Sequence, residues 1–144
     1  MKQQIKINRF YPYSIDKVWA ALTDAQALSE WLMPTDDFKL AINHEFQFKT
    51  KPSIGFDGIV RCKILEINAP NHIVYNWSGG NMKRPTTVVW NLKQIEDGTV
   101  VTLEHFGFEG LGGFMVRQIL NFGWKKIMRK LLAEYLEKQD NVPV

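Results

Sequence analysis

The chain has 144 residues, 45% of them hydrophobic and 23% charged, which supplies one hydrophobic core and leaves no length for a two-domain enzyme. A formal charge of +3 falls short of a dedicated nucleic-acid binder, so no nucleic-acid partner is expected. The single cysteine, Cys62, cannot form an internal disulfide and points to a reducing compartment.

Nine Phe, five Trp and four Tyr are a large volume of ring for one small domain, and the pattern along the chain indicates where they go. The opening MKQQIKINRFYPYS alternates polar and apolar residues without a continuous apolar stretch. It reads as neither a signal peptide nor a membrane span, so a cytoplasmic protein without stable membrane insertion is expected. Ile5, Ile7 and Phe10 recur at an approximate period of two, which predicts a strand over Gln4 to Tyr11, stopped by Pro12. Ser14 is a fitting N-cap for a short helix to Leu22, with Asp16 in its first turn. Thr23 or Asp24 caps a second helix through Ala27, Leu28 and Trp31, ended by Pro34.

From Phe38 to Phe106 the texture changes to alternating β-branched and aromatic residues between turn signals. Phe46 and Phe48 share one face, and a turn follows at Pro52 to Gly55. Val60, Cys62 and Ile64 share the next face, but Leu65 and Ile67 continue in the opposite phase, which predicts a bulge near Leu65. The run Asn68-Ala69-Pro70-Asn71 is a turn. Ile73, Tyr75 and Trp77 then align, and Ser78 to Asn81 ends that strand. Val88, Trp90 and Leu92 align next, Asp97-Gly98 supplies a hairpin, and Val101, Leu103 and His105 align last. No helix separates these strands, so they form an antiparallel meander.

The stretch GFEGLGGF, residues 107–114, reads as a glycine-rich loop and a gate, followed by a long helix from about Phe114 to Lys138. Leu120, Trp124, Ile127, Leu131 and Tyr135 form its apolar stripe, and the basic residues Arg117, Lys125, Lys126, Arg129 and Lys130 read as a solvated outer face. A curved antiparallel sheet closed by one long helix is therefore an α+β architecture in a single domain, residues 1–144.

Several motifs in this order resemble a known family. Phe10 with Val18-Trp19-Ala20-Ala21-Leu22-Thr23-Asp24 and Leu28-x-x-Trp31 form the first. Ile64-Leu65-Glu66-Ile67-x-x-Pro70-x-x-Ile73-Val74-Tyr75-x-Trp77 is the second, and Gly98-Thr99-Val100-Val101-Thr102-Leu103-x-His105-x-Gly107-Phe108 the third. Gly123-Trp124 leading to Leu131 and Leu132 completes the set. Together they are similar to proteins like the activator of heat-shock-protein-90 ATPase homologue, within the START and pollen-allergen-like superfamily. The resemblance implies the helix-grip fold: about seven antiparallel strands, two short helices and a long C-terminal helix enclosing an apolar pocket. It also implies a choice among lipid and sterol carriers, polyketide cyclases, hormone receptors and co-chaperone domains. Heat-shock protein 90 is the partner that the co-chaperone branch implies, although that protein engages it through a separate N-terminal domain for which 144 residues leave no room.

The chemical candidates are few. His44, His72 and His105 fall on three predicted strands, none at metal-ligand spacing from a carboxylate or the cysteine, so no metal and no cofactor is expected. No nucleophile elbow, P-loop or dinucleotide fingerprint is present, and no catalytic residue is assigned. Asp36-Asp37 reads as a solvated loop pair, and Cys62 as a core thiol. By parity Phe46, Phe48, Tyr75, Trp77, Val88, Trp90, Leu103 and His105 face the concave side of the sheet, and Trp31, Trp124 and Ile127 face it from the helices. These eleven are the candidate ligand-binding residues. Either they fill the interior, or they line it for a hydrophobic small molecule, lipid-like or polyphenolic, oriented by the Tyr75 hydroxyl, indole N–H groups and His105. The first reading of function is a cytoplasmic ligand-binding protein, monomeric or weakly homodimeric. The alternatives are a cyclase or hydrolase using His105 and Tyr75 as acid and base, and a stress-linked co-chaperone module.

Overall fold

The computed structural model describes residues 4–140 apart from 55, 81 and 83. In chain order it comprises β1 (Gln4–Tyr11), α1 (Ile15–Leu22), α2 (Ala25–Trp31), β2 (Glu45–Lys49), β3 (Ile59–Asn68), β4 (His72–Gly79), β5 (Thr86–Ile95), β6 (Gly98–Phe106), α3 (Gly110–Lys126), one π-helical turn (Ile127–Leu131) and α4 (Leu132–Asp140). The six strands make one antiparallel sheet in the order β1-β6-β5-β4-β3-β2. That is one strand fewer than the approximate count of seven, because the chain between α2 and β2 runs as loop and turn. Gly55 and Asn81, the last residues of two expected turns, lie outside the described residues.

The helix starts follow from local chemistry. The Ser14 hydroxyl accepts from the Lys17 amide, and the Asp24 carboxylate accepts from the Ala27 amide at 3.0 Å, each satisfying a backbone donor that the first turn leaves free. Val18, Ala21 and Leu22 of α1 and Ala27, Leu28 and Trp31 of α2 are buried.

Register converts the period-two alternation into rows across the concave face. Ile64, Tyr75, Val88, His105 and Ile5 lie opposite one another on five successive strands, and Ile73, Trp90, Leu103 and Ile7 form the next row. The shift in β3 falls between Ile64 and Glu66, so the bulge sits where the alternation breaks and lets β3 bend. On β1 the inward parity runs through Ile5, Ile7 and Tyr11, while Phe10 is 45% exposed, which corrects its assignment to the buried face. Gly98 is the first residue of β6, paired with Ile95, so the hairpin loop is Glu96-Asp97. A Cβ at Gly98 would lie 2.3 Å from the Tyr11 carbonyl oxygen, and this close approach is what requires glycine there.

The C-terminal helix departs from the expectation in two ways. It begins at Gly110 rather than about Phe114, taking three glycines into its first turn; Gly110 itself has φ +69°, a conformation glycine tolerates without cost. Further along, the π turn inserts an extra residue, so the buried line is Trp124, Met128, Leu132 and Leu136, while Ile127, Leu131 and Tyr135 are half-buried. The wider turn moves the core-facing line on by one residue relative to the 3.6-residue pattern. A buried hydrogen bond marks the place: the Tyr11 hydroxyl donates to the Met128 carbonyl at 2.7 Å. A π turn disturbs the regular carbonyl pairing of a helix, and this hydroxyl supplies a donor from β1. Tyr11→Phe keeps the ring and removes the donor, so it should lower stability by about 1–3 kcal/mol. Urea unfolding of the two proteins measures the difference, and equal midpoints would show that the bond contributes nothing.

Candidate functional site

The interior between the sheet and the C-terminal helices holds ten of the eleven candidate residues fully buried: Trp31, Phe46, Phe48, Tyr75, Trp77, Val88, Trp90, Leu103, His105 and Trp124. Ile127 is half-buried, and Met128 takes the place expected of it.

The rings form a closed circuit. The Trp90 indole N–H donates to the Tyr75 hydroxyl at 2.9 Å. Tyr75 meets Phe46 edge-on at 5.5 Å between centroids, and Phe46 meets Phe48 at 5.4 Å. Phe48 lies 5.8 Å from Trp77, Trp77 lies 5.4 Å from Trp124, and Trp124 returns to Trp90 at 5.6 Å. Trp31 extends the circuit from α2, 6.2 Å from Trp90, its own N–H donated to the Ala21 carbonyl. Such separations are those of packed aromatic pairs. The rings of this interior therefore pack on one another in the conformation described.

A polar relay crosses the same space. Trp124 N–H donates to His105 Nδ1 at 3.1 Å, so in the neutral ring the proton sits on Nε2, which donates to Thr86 Oγ1 at 2.7 Å. The Thr86 hydroxyl in turn donates to the Trp77 carbonyl at 2.8 Å. Both imidazole nitrogens are thus engaged. Desolvation by burial lowers the His105 pKa to about 3, because nothing around it compensates a charge. Burial likewise pushes the Tyr75 and Cys62 groups well up, Asp37 adding to the shift of Cys62. Tyr75 and His105 lie on one row with Val88 between them, two strands apart and so about 10 Å across the sheet. They do not assemble as an acid–base pair.

The other candidates resolve locally. His44 Nε2 is 2.5 Å from the Asp37 carbonyl, and the Asp37 carboxylate accepts from the Gln47 amide and the Thr35 hydroxyl, both at 3.1 Å, so it ties the loop to β2. His72 stands between Asn91 and Glu66 on the outer face. Among the described residues no group of three metal-ligating side chains occurs. A groove of about 480 Å³ runs along the outward row of β2 to β4, beside Glu45, Gln47, Arg61, Lys63, Asn76 and Ser78, with Phe46 and Cys62 also in its lining; its charges are mixed. Thr86 escaped the sequence reading although its parity with Val88 and Trp90 points it inward; a lone threonine beside a proline gives no chemical signal until His105 is placed opposite.

A curved sheet gripping a long helix over a ring-lined interior defines the helix-grip class. The family model described as Activator of Hsp90 ATPase homolog 1-like protein matches residues 12–137, and the chain belongs to that family. Protein MLL2253 from Mesorhizobium loti has the same fold, with a TM-score of 0.81, 24% identity and coverage of 94% of this chain and 97% of that one. CalU16 from Micromonospora echinospora superposes with a TM-score of 0.76 at 22% identity, covering 92% of this chain and 75% of the other. The Aha1 dimer from Colwellia psychrerythraea gives 0.72 at 20% identity, covering 89% and 92%. No curated protein matches the chain. Among the described residues no helix is long and apolar enough to cross a membrane.

The lowered His105 pKa sets a pH dependence. The unfolded chain takes up a proton near pH 6.5 and the folded protein only near 3, so the contribution of neutral His105 is complete above pH 6.5. It is lost as pH falls from 6.5 toward 3, by about 1.4 kcal/mol for each pH unit in that window. The stability gap between the wild type and His105→Gln should therefore narrow as the solution is acidified through that range. Urea midpoints across the window test this, and a gap independent of pH would mean that the ring titrates normally in the fold.

Proposed function

We propose that this protein is a small cytoplasmic carrier that takes a hydrophobic molecule, lipid-like or polyphenolic, between α3 and the concave face of the sheet. The observation that supports it best is an asymmetry in the grip. Beneath α3 lies an interior of rings with few polar groups, yet the 17 residues of α3 commit only one fully buried side chain, Trp124. The π turn and α4 behind it are anchored by Met128, Leu132 and Leu136, all buried, by the Tyr11 hydrogen bond, and by the Lys17–Asp140 ion pair. Segments with few buried contacts open at low free energy, and α3 is such a segment next to one that is not.

Opening α3 withdraws Trp124 from the circuit and presents Trp77 and Trp90 to a guest, which replaces one ring by another apolar body. Polar orientation is available from Tyr75: its hydroxyl accepts from Trp90, leaving its own proton to donate, whereas the N–H groups of Trp31, Trp90 and Trp124 and both nitrogens of His105 are already used. Acid–base turnover by His105 and Tyr75 is the weaker reading, since His105 stays neutral and doubly bonded. The free, buried Cys62 suits a reducing compartment.

Intrinsic tryptophan fluorescence during titration with fatty acids, flavonoids and sterols tests the reading. A saturable change is expected with at least one class, and Trp124→Phe should blunt it because the reporter that moves is gone. A flat response across the whole panel would overturn the proposal.

A further inference from the structure

We propose that the outward face of α3 docks the protein onto an anionic lipid bilayer. The inference does not depend on whether the interior takes a ligand. Leu111, Met115, Ile119 and Phe122 are 87%, 65%, 69% and 77% exposed. Their spacing of four, four and three residues puts them along one side of α3, while Trp124, with Val116 and Leu120, faces the core. A helix apolar on both sides ordinarily has both sides covered, and four large side chains in a continuous line exceed the scattered exposure of a soluble surface.

Charge selects the occupant. Where the apolar line ends, Lys125, Lys126, Arg129 and Lys130 follow, all exposed, and from residue 110 to residue 133 there is no Asp or Glu. Apolar side chains flanked by cations on a helix lying flat are what the boundary between headgroups and acyl chains of an anionic leaflet accepts. A second copy of the chain would set the same cations against themselves with no acid on α3 to receive them. Topology extends the patch: the β2–β3 loop, with Ile54 fully exposed, lies at the same end of the sheet as the start of α3. Two acids near that end are already paired, Glu109 with Arg84 at 3.7 Å and Asp57 with Arg61 at 3.2 Å.

Sedimentation of the full chain with vesicles tests the proposal, using phosphatidylcholine alone and phosphatidylcholine with about one quarter phosphatidylglycerol. Partition onto the anionic vesicles is expected, weaker onto the neutral ones and falling with added salt. Lys125→Gln with Lys126→Gln should reduce it by about fivefold for each cation removed, and Met115→Gln with Phe122→Gln should reduce it as well. All four positions are exposed, so melting temperatures should stay at the wild-type value. Equal partition onto both vesicle types, or none, overturns the proposal. So does a lipid-free dimer that Met115→Gln with Phe122→Gln converts to monomer, which would give this face to a second copy.

Discussion

The relay from the Trp124 indole through His105 and Thr86 to the Trp77 carbonyl is the constraint on which the rest of this fold depends. An interior of rings offers almost no hydrogen-bond partners, and an unpaired polar group there costs about 1–3 kcal/mol. The relay meets that constraint with one residue each from α3, β6, β5 and β4. It fixes the angle at which α3 meets the sheet, since Trp124 must present its N–H to a ring nitrogen on β6. It also fixes the tautomer of His105, and with it the direction of every donor in the chain.

Because the relay ends at Trp124, it divides the C-terminal helix into two parts of different character. C-terminal to it, the π turn brings Met128 into the core and sets its carbonyl against the Tyr11 hydroxyl, and α4 packs on α1 and α2. N-terminal to it, α3 carries glycines at 110, 112 and 113 and no further fully buried side chain. Glycine lowers helix propensity by about 1 kcal/mol per position relative to alanine, and the missing burial removes what would offset that. One covalent helix is thus a fixed half joined to a loosely held one, with the ring circuit beneath the junction.

How far the sequence alone reaches follows from the same physics. A strand has a period of two, so parity placed Phe46, Phe48, Tyr75, Trp77, Val88, Trp90, Leu103 and His105 on the concave face, where the register puts them, and the break in parity located the β3 bulge. Caps are local, so Ser14 marks the first helix and Thr23-Asp24 the second, where Asp24 is the residue that caps. The misses are places where tertiary contact overrides local pattern. Four glycines in eight residues argue for a loop, yet Gly110 opens α3 and Gly112 and Gly113 lie within its first turn. A stripe at 3.6 residues does not contain an inserted residue, so it points to Ile127 where Met128 is buried. Gly98 looked like a turn glycine, but it is set by the approach of Tyr11, 87 residues away in sequence.

The outward face of α3 was hidden for a related reason. A helix apolar on two sides has a weak 3.6-residue period, so neither face of α3 stands out in the sequence and its cations resemble those of a solvated exterior. The three-dimensional arrangement separates the two faces. Trp124 defines the inner one through His105, and Leu111, Met115, Ile119 and Phe122 are left pointing away from it, uncovered by any of the described residues. The weak hold of α3 on the core and the apolar character of its outer side are consistent with each other. A helix that gives one ring to the interior, with Val116 and Leu120 packed beside it, keeps its outward apolar line for another environment, and because that line is already exposed while Trp124 is seated, a bilayer can hold α3 without itself shifting it off Trp77 and Trp90.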